Sequence, residues 1–553
     1  MSDSPSSSDA EAHRLEAQAL RAQGRAREAL EAYDRAIALE LGHALTHHHK
    51  ANTLAGLGDF APALLAYSAA VALDPALADA HINRGVVLRL LGQAAAALES
   101  YDAAIAACPD HAEAYYNRGN ALRDLGRPEE AAAAFARAAQ LRPDHAPALA
   151  NHGLVLRDLG DDEGAQDRYE AAIAAAPGYA PAWINRGLLH RDLGHPDLAL
   201  ADFEAAIQRD PALADAHVGR GLVLKDAQRI DDALAAYDRA LTLNPHHAEA
   251  HWNKALALLL GGRWLEAWPH YEQRWRLPHL GFAPRELPQP LWSGQPLEGR
   301  RVFVHAEQGL GDLIQFSRYA RLLVQQGAKV LLEAPPSLWP VLDTLGPGVV
   351  MVDPADPPPQ ADFQIPLMSL PMAFGTTPGA VPMGAPYLAA RPDRVALWRE
   401  RLDSAAGPLV GLVWKGAARY RTDHLRSLPL ADLLAALPVG PAYVALQKDL
   451  TEPEQALLAA QPDILAAGGD FADTAALASL MDVVVSVDTS VAHLSGAIGA
   501  PTWVLLPFAS DWRWLLNRDE TPWYESVRLY RQGADRSWGA VLARVAEDLK
   551  TRL

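Results

Sequence analysis

The stretch Ser486–Ala500, SVDTSVAHLSGAIGA, carries residue types suited to holding a phosphate. Val483, Val484 and Val485 precede it and read as a strand buried on both faces. Asp488, Thr489 and Ser490 are helix-capping types, and Val491, Leu494, Ala497 and Ile498 then recur at helical spacing. The reading is strand, polar turn, helix. First-turn N–H groups lack intrahelical partners and the helix dipole adds positive charge, so such a turn suits a phosphate, and His493 adds a donor one turn in. An ordinary capped βα unit without a ligand shows the same residues. A second series lies in the first half, where Asn83, Asn117, Asn151, Asn185 and Asn253 fall at one place in a 34-residue register. Asparagine is a poor mid-helix residue. A row of carboxamides can pair with an extended polypeptide backbone, or with neighbouring helices. His49, Leu15 and Gly219 interrupt the row. The adjacent His47, His48 and His49 point about 100° apart on a helix and cannot chelate one metal, so no metal site is expected.

The elements that position the asparagines follow from the register. Pro75, Pro109, Pro143, Pro177, Pro211 and Pro245 are spaced by 34, as are Gly24, Gly58, Gly92, Gly126, Gly160, Gly194 and, past Gln228, Gly262. Alanines from Ala29 to Ala267 and aromatics from Tyr33 to Tyr271 keep the same step. Gly, Ala, aromatic and Pro at these offsets resemble the tetratricopeptide repeat, a pair of antiparallel helices per unit. Units starting at Ala10, Ala44, Ala78, Ala112, Ala146, Ala180, Ala214 and Ala248 make eight, ending at Gly281. The glycine is expected to end the first helix in a left-handed conformation, and the aromatic to fill the gap between successive units. The edge units depart from the pattern at Leu41 and Arg274. Residues 1–9 are expected to be a disordered tail and residues 10–281 the repeat array.

Residues 282–300 are proline-rich and read as a linker, with Trp292 expected to pack between domains. From Arg301 the pattern is α/β. Strands are expected at Val302–His305, Lys329–Glu333, Gly348–Val352 and Phe363–Pro366, with a helix from Leu313 to Gln326. A second series starts at Leu409 and includes Asp482–Val487 and Thr502–Leu506. Two βα series imply two Rossmann-like halves with a cleft between them, about 301–400 and 405–535, and a C-terminal helix at 537–553 crossing back over the first half. Among 553 residues the formal net charge is −18, which excludes the basic footprint that a nucleic-acid binder needs. The single Cys108 excludes an intramolecular disulfide. No apolar run approaches the length of a transmembrane segment, and the polar start MSDSPSSSDA is not a signal peptide, so a cytoplasmic location is expected.

Three motifs, EQGLGD (Glu307–Asp312), RSLPL (Arg426–Leu430) and SVDTSVAHLSGAIGAPTW (Ser486–Trp503), stand in the order that resembles glycosyltransferase family 9, the heptosyltransferase group. With the repeats, the whole resembles bacterial repeat-bearing glycosyltransferases, and the repeats resemble those of O-GlcNAc transferases. The resemblance implies an α-solenoid (tetratricopeptide superhelix) followed by an α/β GT-B-like domain over 301–553. It implies a metal-independent, inverting transfer from a nucleotide-sugar donor, with no cofactor. Asp312 would be the general base on the acceptor hydroxyl or, as an alternative, a helix cap. Gly309, Gly311, Lys415, Arg426, Asp488, Thr489, Ser490, His493 and Arg513 would bind the donor, Arg426 and Arg513 through phosphate. The acceptor would be a polypeptide in the repeat groove, flagellin among the possibilities, or a glycan. A scaffold with a degenerate nucleotide-sugar fold is the reading from another class.

Overall fold

The computed structural model describes residues 7–281, 284–382, 386–403, 405, 407–416, 423–461 and 464–552, and the chain divides into two compact units between Gly219 and Arg220. The expected disordered tail over residues 1–9 is corrected at 7–9, because Ser7–Ala22 is helical; residues 1–6 lie outside the described residues.

The first unit consists of antiparallel helix pairs such as Ala78–Leu90 with Ala94–Ala107 and Ala112–Asp124 with Pro128–Leu141. First helices begin at the alanines that mark the register. Gly24, Gly58, Gly92, Gly126, Gly160 and Gly194 all have positive φ, +68° at Gly126, so the step of 34 records a backbone requirement. The aromatic series fills the gap between successive units as expected, Tyr67 clustering with Val87, Phe135 with Val155 and Tyr169 with Leu189, and it also packs inside its own unit. Tyr101 lies against Gly85 of its own unit, where an added Cβ would sit 2.5 Å from the ring. Phe135 on Gly119 and Tyr169 on Gly153 repeat the arrangement at 2.6 and 2.7 Å. The ring therefore closes its own helix pair as well as the junction with the next. Phe203 also reaches the next unit, where a Cβ at Gly219 would overlap it, and this accounts for the missing asparagine there.

The second unit joins the last repeat helices, Ile230–Leu243, Ala248–Leu260 and Trp264–Tyr271, to two sheets. The first sheet has the order β3-β2-β1-β4, all parallel: β1 Arg301–His305, β2 Lys329–Glu333, β3 Val349–Val352 and β4 Phe363–Pro366. The second has the order β10-β11-β9-β8-β5-β6-β7, parallel except for β10. Its strands are β5 Leu409–Val413, β6 Ala442–Ala445, β7 Ile464–Ala466, β8 Val483–Val487, β9 Thr502–Leu506, β10 Glu520–Thr521 and β11 Tyr524–Arg531. β8 and β9 are buried along their whole length, as a run without alternation requires.

Four expectations are corrected. The boundary at 281 fails because the eighth repeat unit is part of the α/β core: Trp264 stacks on Trp523 with centroids 5.0 Å apart, and Trp268 Nε1 donates to the Thr376 carbonyl at 3.0 Å. The linker is docked and extends the first sheet at β4. Trp292 N–H donates to Gln364 O and Gln364 N–H donates to Pro290 O, at 2.9 and 3.0 Å, and Trp292 is buried beside Phe374. The expected helix Leu313–Gln326 is two, Leu310–Phe316 and Arg318–Gln325, broken where Ser317 Oγ donates to the Ile314 carbonyl. The C-terminal helix Trp538–Arg552 covers the second sheet, with Val541, Val545 and Leu549 buried in one cluster with Val410, Leu412 and Tyr530.

Candidate functional site

The glycine turn after β1 and the polar turn after β8 meet. A Cβ on Gly311 would lie 3.1 Å from His493 Cδ2 and 3.6 Å from Ser490 Cα, so the helices Leu310–Phe316 and Ser490–Ala497 approach closely at a position where any larger residue would press on the His493 ring. RSLPL joins them: Arg426 Nη1 donates to the Asp488 carbonyl at 2.9 Å and Nε donates to Asp423 Oδ1 at 2.8 Å. Thr489 takes the extended N-cap conformation, with its hydroxyl 3.2 Å from Ser486 Oγ. Three motifs from distant parts of the sequence thus converge.

Asp312 sits at the third helical position, where Oδ2 accepts from Gly309 N–H at 3.0 Å and the other oxygen is ion-paired with Arg513. Burial pushes the Asp312 carboxyl above the usual range and Arg513 opposes the shift. A fifth of the side chain stays open, at 21%. Arg513 is committed: Nε donates to Gln315 Oε1 and Nη1 to Asp511 Oδ1, both at 2.9 Å, and the residue is buried. Arg513, expected on phosphate, is held in this structure by the carboxylates of Asp312 and Asp511. Lys415, also expected on the donor, pairs through its ammonium with Glu454. Burial opposes ionisation of Glu454, yet Lys415, Thr451 and Trp414 together hold it down at about 2. Of the cations expected on phosphate, Arg426 alone meets the polar turn through the Asp488 carbonyl.

His493 is a buried neutral imidazole. Its Nδ1 lies 3.0 Å from Tyr524 Oη, its ring stacks on Trp514 at 5.3 Å, and burial beside Arg513 pushes it down to about 3. Asp488, 3.7 Å from Nε2, is pushed up to about 6 by burial and Asp511 against the pull of Arg426. The depressed imidazole contributes stability that is full above its unfolded value of 6.5 and is lost as pH falls toward 3, because the unfolded chain binds the proton first. Asp488 acts oppositely between 3.8 and about 6. The expected result in melting curves across this range is a shallower acid loss in His493→Gln than in wild type; identical slopes would mean the imidazole is solvated.

The last repeat units reach this site through the residues that break their own register. Gln228 replaces glycine at φ 60° and its Nε2 donates to the Phe508 carbonyl at 2.7 Å. Arg274 is fully buried and forks onto Glu307 of EQGLGD, Nε to Oε2 at 2.7 Å and Nη2 to Oε1 at 3.0 Å. Gln308 Nε2 donates to Tyr271 Oη at 2.8 Å. The asparagine row is largely occupied within the repeats. Asn83 donates to Asn52 Oδ1 at 3.0 Å and Asn151 to Asn120 Oδ1 at 2.9 Å, each a bridge to the preceding unit. Asn117 and Asn253 donate to the carbonyls of Glu113 and Glu249 in their own helices, and Asn185 is half-buried. Sequence reasoning missed Asp511, Gln315, Tyr524 and Glu454. Asp511 was the most accessible of them, as an acid two residues from a suspected arginine.

These findings define a chain whose first half carries tetratricopeptide repeats. Tetratricopeptide-repeat family models match residues 3–43, 150–214, 184–239 and 218–276, and two others match 112–145 and 87–126. Protein FlbA of Caulobacter vibrioides is 29% identical over 322 residues, which are 53% of this chain and 53% of FlbA, so the chain spans about half the length of the curated relative it matches. Among solved structures, YrrB, described as a tetratricopeptide-repeat protein with an unusual peptide-binding site, is 26% identical over 34% of this chain and 96% of its own, with a TM-score of 0.30. A tetratricopeptide-repeat protein from Parabacteroides merdae is 18% identical over 45% of this chain and 99% of its own, with a TM-score of 0.40. No described helix is long and apolar enough to cross a membrane.

Proposed function

We propose that this protein transfers a sugar from a nucleotide-sugar donor to a polypeptide held by the repeats. The observation that carries the reading is the convergence of EQGLGD, RSLPL and the SVDTS turn around Gly311, Arg426 and Asp488. In this reading the donor diphosphate lies at the start of helix Ser490–Ala497, with Arg426 beside it. Asp312 takes the acceptor proton as the acceptor oxygen bonds to the anomeric carbon. The bond from that carbon to the phosphate oxygen breaks, and the nucleoside diphosphate leaves with the electron pair. One displacement inverts the centre. The ion pair of Asp312 with Arg513 must open for this step, and Asp511 then keeps the arginine neutralised.

A scaffold reading is favoured by one observation: Lys415 and Arg513 are both already neutralised by carboxylates. A thermal-shift panel of UDP-, GDP- and ADP-sugars on the full chain separates the two. The transferase reading expects one donor to raise the melting temperature, and Arg426→Gln to lose that shift. No shift with any donor favours the scaffold.

A further inference from the structure

Behind the loop that carries Asp511 and Arg513, an open pocket of about 610 Å³ lies between the end of β11 and the C-terminal helix. Arg518, Arg531 and Arg544 line it, with Asp519 as the one carboxylate among its lining residues. In a chain of net charge −18 that concentration of guanidinium is a departure in itself. Three observations say it is not a solvated surface patch. Arg518 Nε is buried and has no hydrogen-bond partner, a donor left waiting for an acceptor. Leu515, at φ 54° and ψ −168°, holds a backbone conformation that side-chain-bearing residues rarely adopt, and strain of this kind collects at ligand sites. Burial, with the like charge of Arg518 and against the pull of Asp519, brings Arg531 down to about 10, so the cluster is short of negative charge.

We infer that this pocket binds a small phosphate-bearing anion between Arg518 and Arg544. The guanidinium fork matches the paired oxygens of a phosphate. Arg531 is the wall of the site. Its Nε donates to the Arg518 carbonyl at 3.0 Å, Nη1 to Ser510 Oγ at 3.1 Å and Nη2 to the Trp514 carbonyl at 2.6 Å. The residue that lines the pocket thereby ties both ends of the Ser510–Trp514 loop, which includes Asp511 and Arg513. The inference does not depend on the transferase reading.

The test is a calorimetric titration of inorganic phosphate into the full chain, with ionic strength held constant by chloride. Saturable binding is expected, weakened about tenfold by Arg518→Gln and again by Arg544→Gln, as loss of a charge-assisted hydrogen bond predicts. The same weakening is expected in an Arg426→Gln background, where phosphate beside the turn after β8 does not contribute. Both substituted side chains meet solvent, so the variants should melt like wild type; if Arg518→Gln does not, the exposed Arg544→Gln decides alone. A response no greater than that of chloride, unaltered binding in Arg544→Gln, or binding lost in Arg426→Gln would each overturn the assignment.

Discussion

Replacing Arg274 by methionine is expected to lower the unfolding free energy by about 3–5 kcal/mol, the cost of leaving a buried partner charge alone. The guanidinium is fully buried, and the Glu307 side chain it forks onto is only 4% exposed. Glu307 is already pushed up by burial, with Arg274 pulling against the shift, and only Met368 N–H at 2.8 Å would remain to hold its charge. Ser369 Oγ and Glu272 complete the cluster on the other side of the arginine. Arg274→Lys keeps the charge and loses the fork, so an intermediate loss is expected. Adding Glu307→Gln to Arg274→Met should recover a large part of the stability, because the stranded charge is removed. Urea unfolding of the three variants checks this. A loss below about 1 kcal/mol in Arg274→Met would mean that water screens the pair as it does at a surface.

If the chain is the proposed transferase, Asp312→Asn is expected to cut its turnover by about 10²- to 10⁴-fold, the usual contribution of a positioned general base. Asparagine can still accept from Gly309 N–H, so the start of helix Leu310–Phe316 is preserved. It withdraws one carboxylate from Arg513, which keeps Asp511 and Gln315. The melting temperature should therefore fall only modestly, and stabilisation by the nucleotide-sugar donor should persist. Donor binding retained with turnover lost separates a base from a helix-capping acid. Near-normal turnover in Asp312→Asn would leave the residue a structural role only.

What the sequence revealed and what it hid divide along physical lines. The repeat register was legible because each of its series answers a local steric demand: a left-handed backbone at Gly126, or a ring seated on Gly119. Strands β2, β4 and β9 matched their expected bounds, since short apolar runs between turn residues have few alternatives. β11 was hidden because Tyr524–Arg531 offers neither a continuous apolar run nor a strict alternation, with Glu525 and Ser526 adjacent and then Leu529 and Tyr530, although it pairs with β9. The ion pair between Asp312 and Arg513 joins residues 201 positions apart, and no periodicity reports such a contact. Arg274 and Gln228 were visible as departures from the repeat. Their reasons, Glu307 and the Phe508 carbonyl, lie in another part of the chain.

The most direct test of the transferase reading is release of nucleoside diphosphate by the full chain, supplied with whichever nucleotide sugar raises its melting temperature. The account predicts release that rises when a polypeptide acceptor is added and falls to background in Asp312→Asn. Stabilisation by the donor with no release, in wild type as in Asp312→Asn and with acceptor present, would contradict it and leave a nucleotide-sugar-binding scaffold.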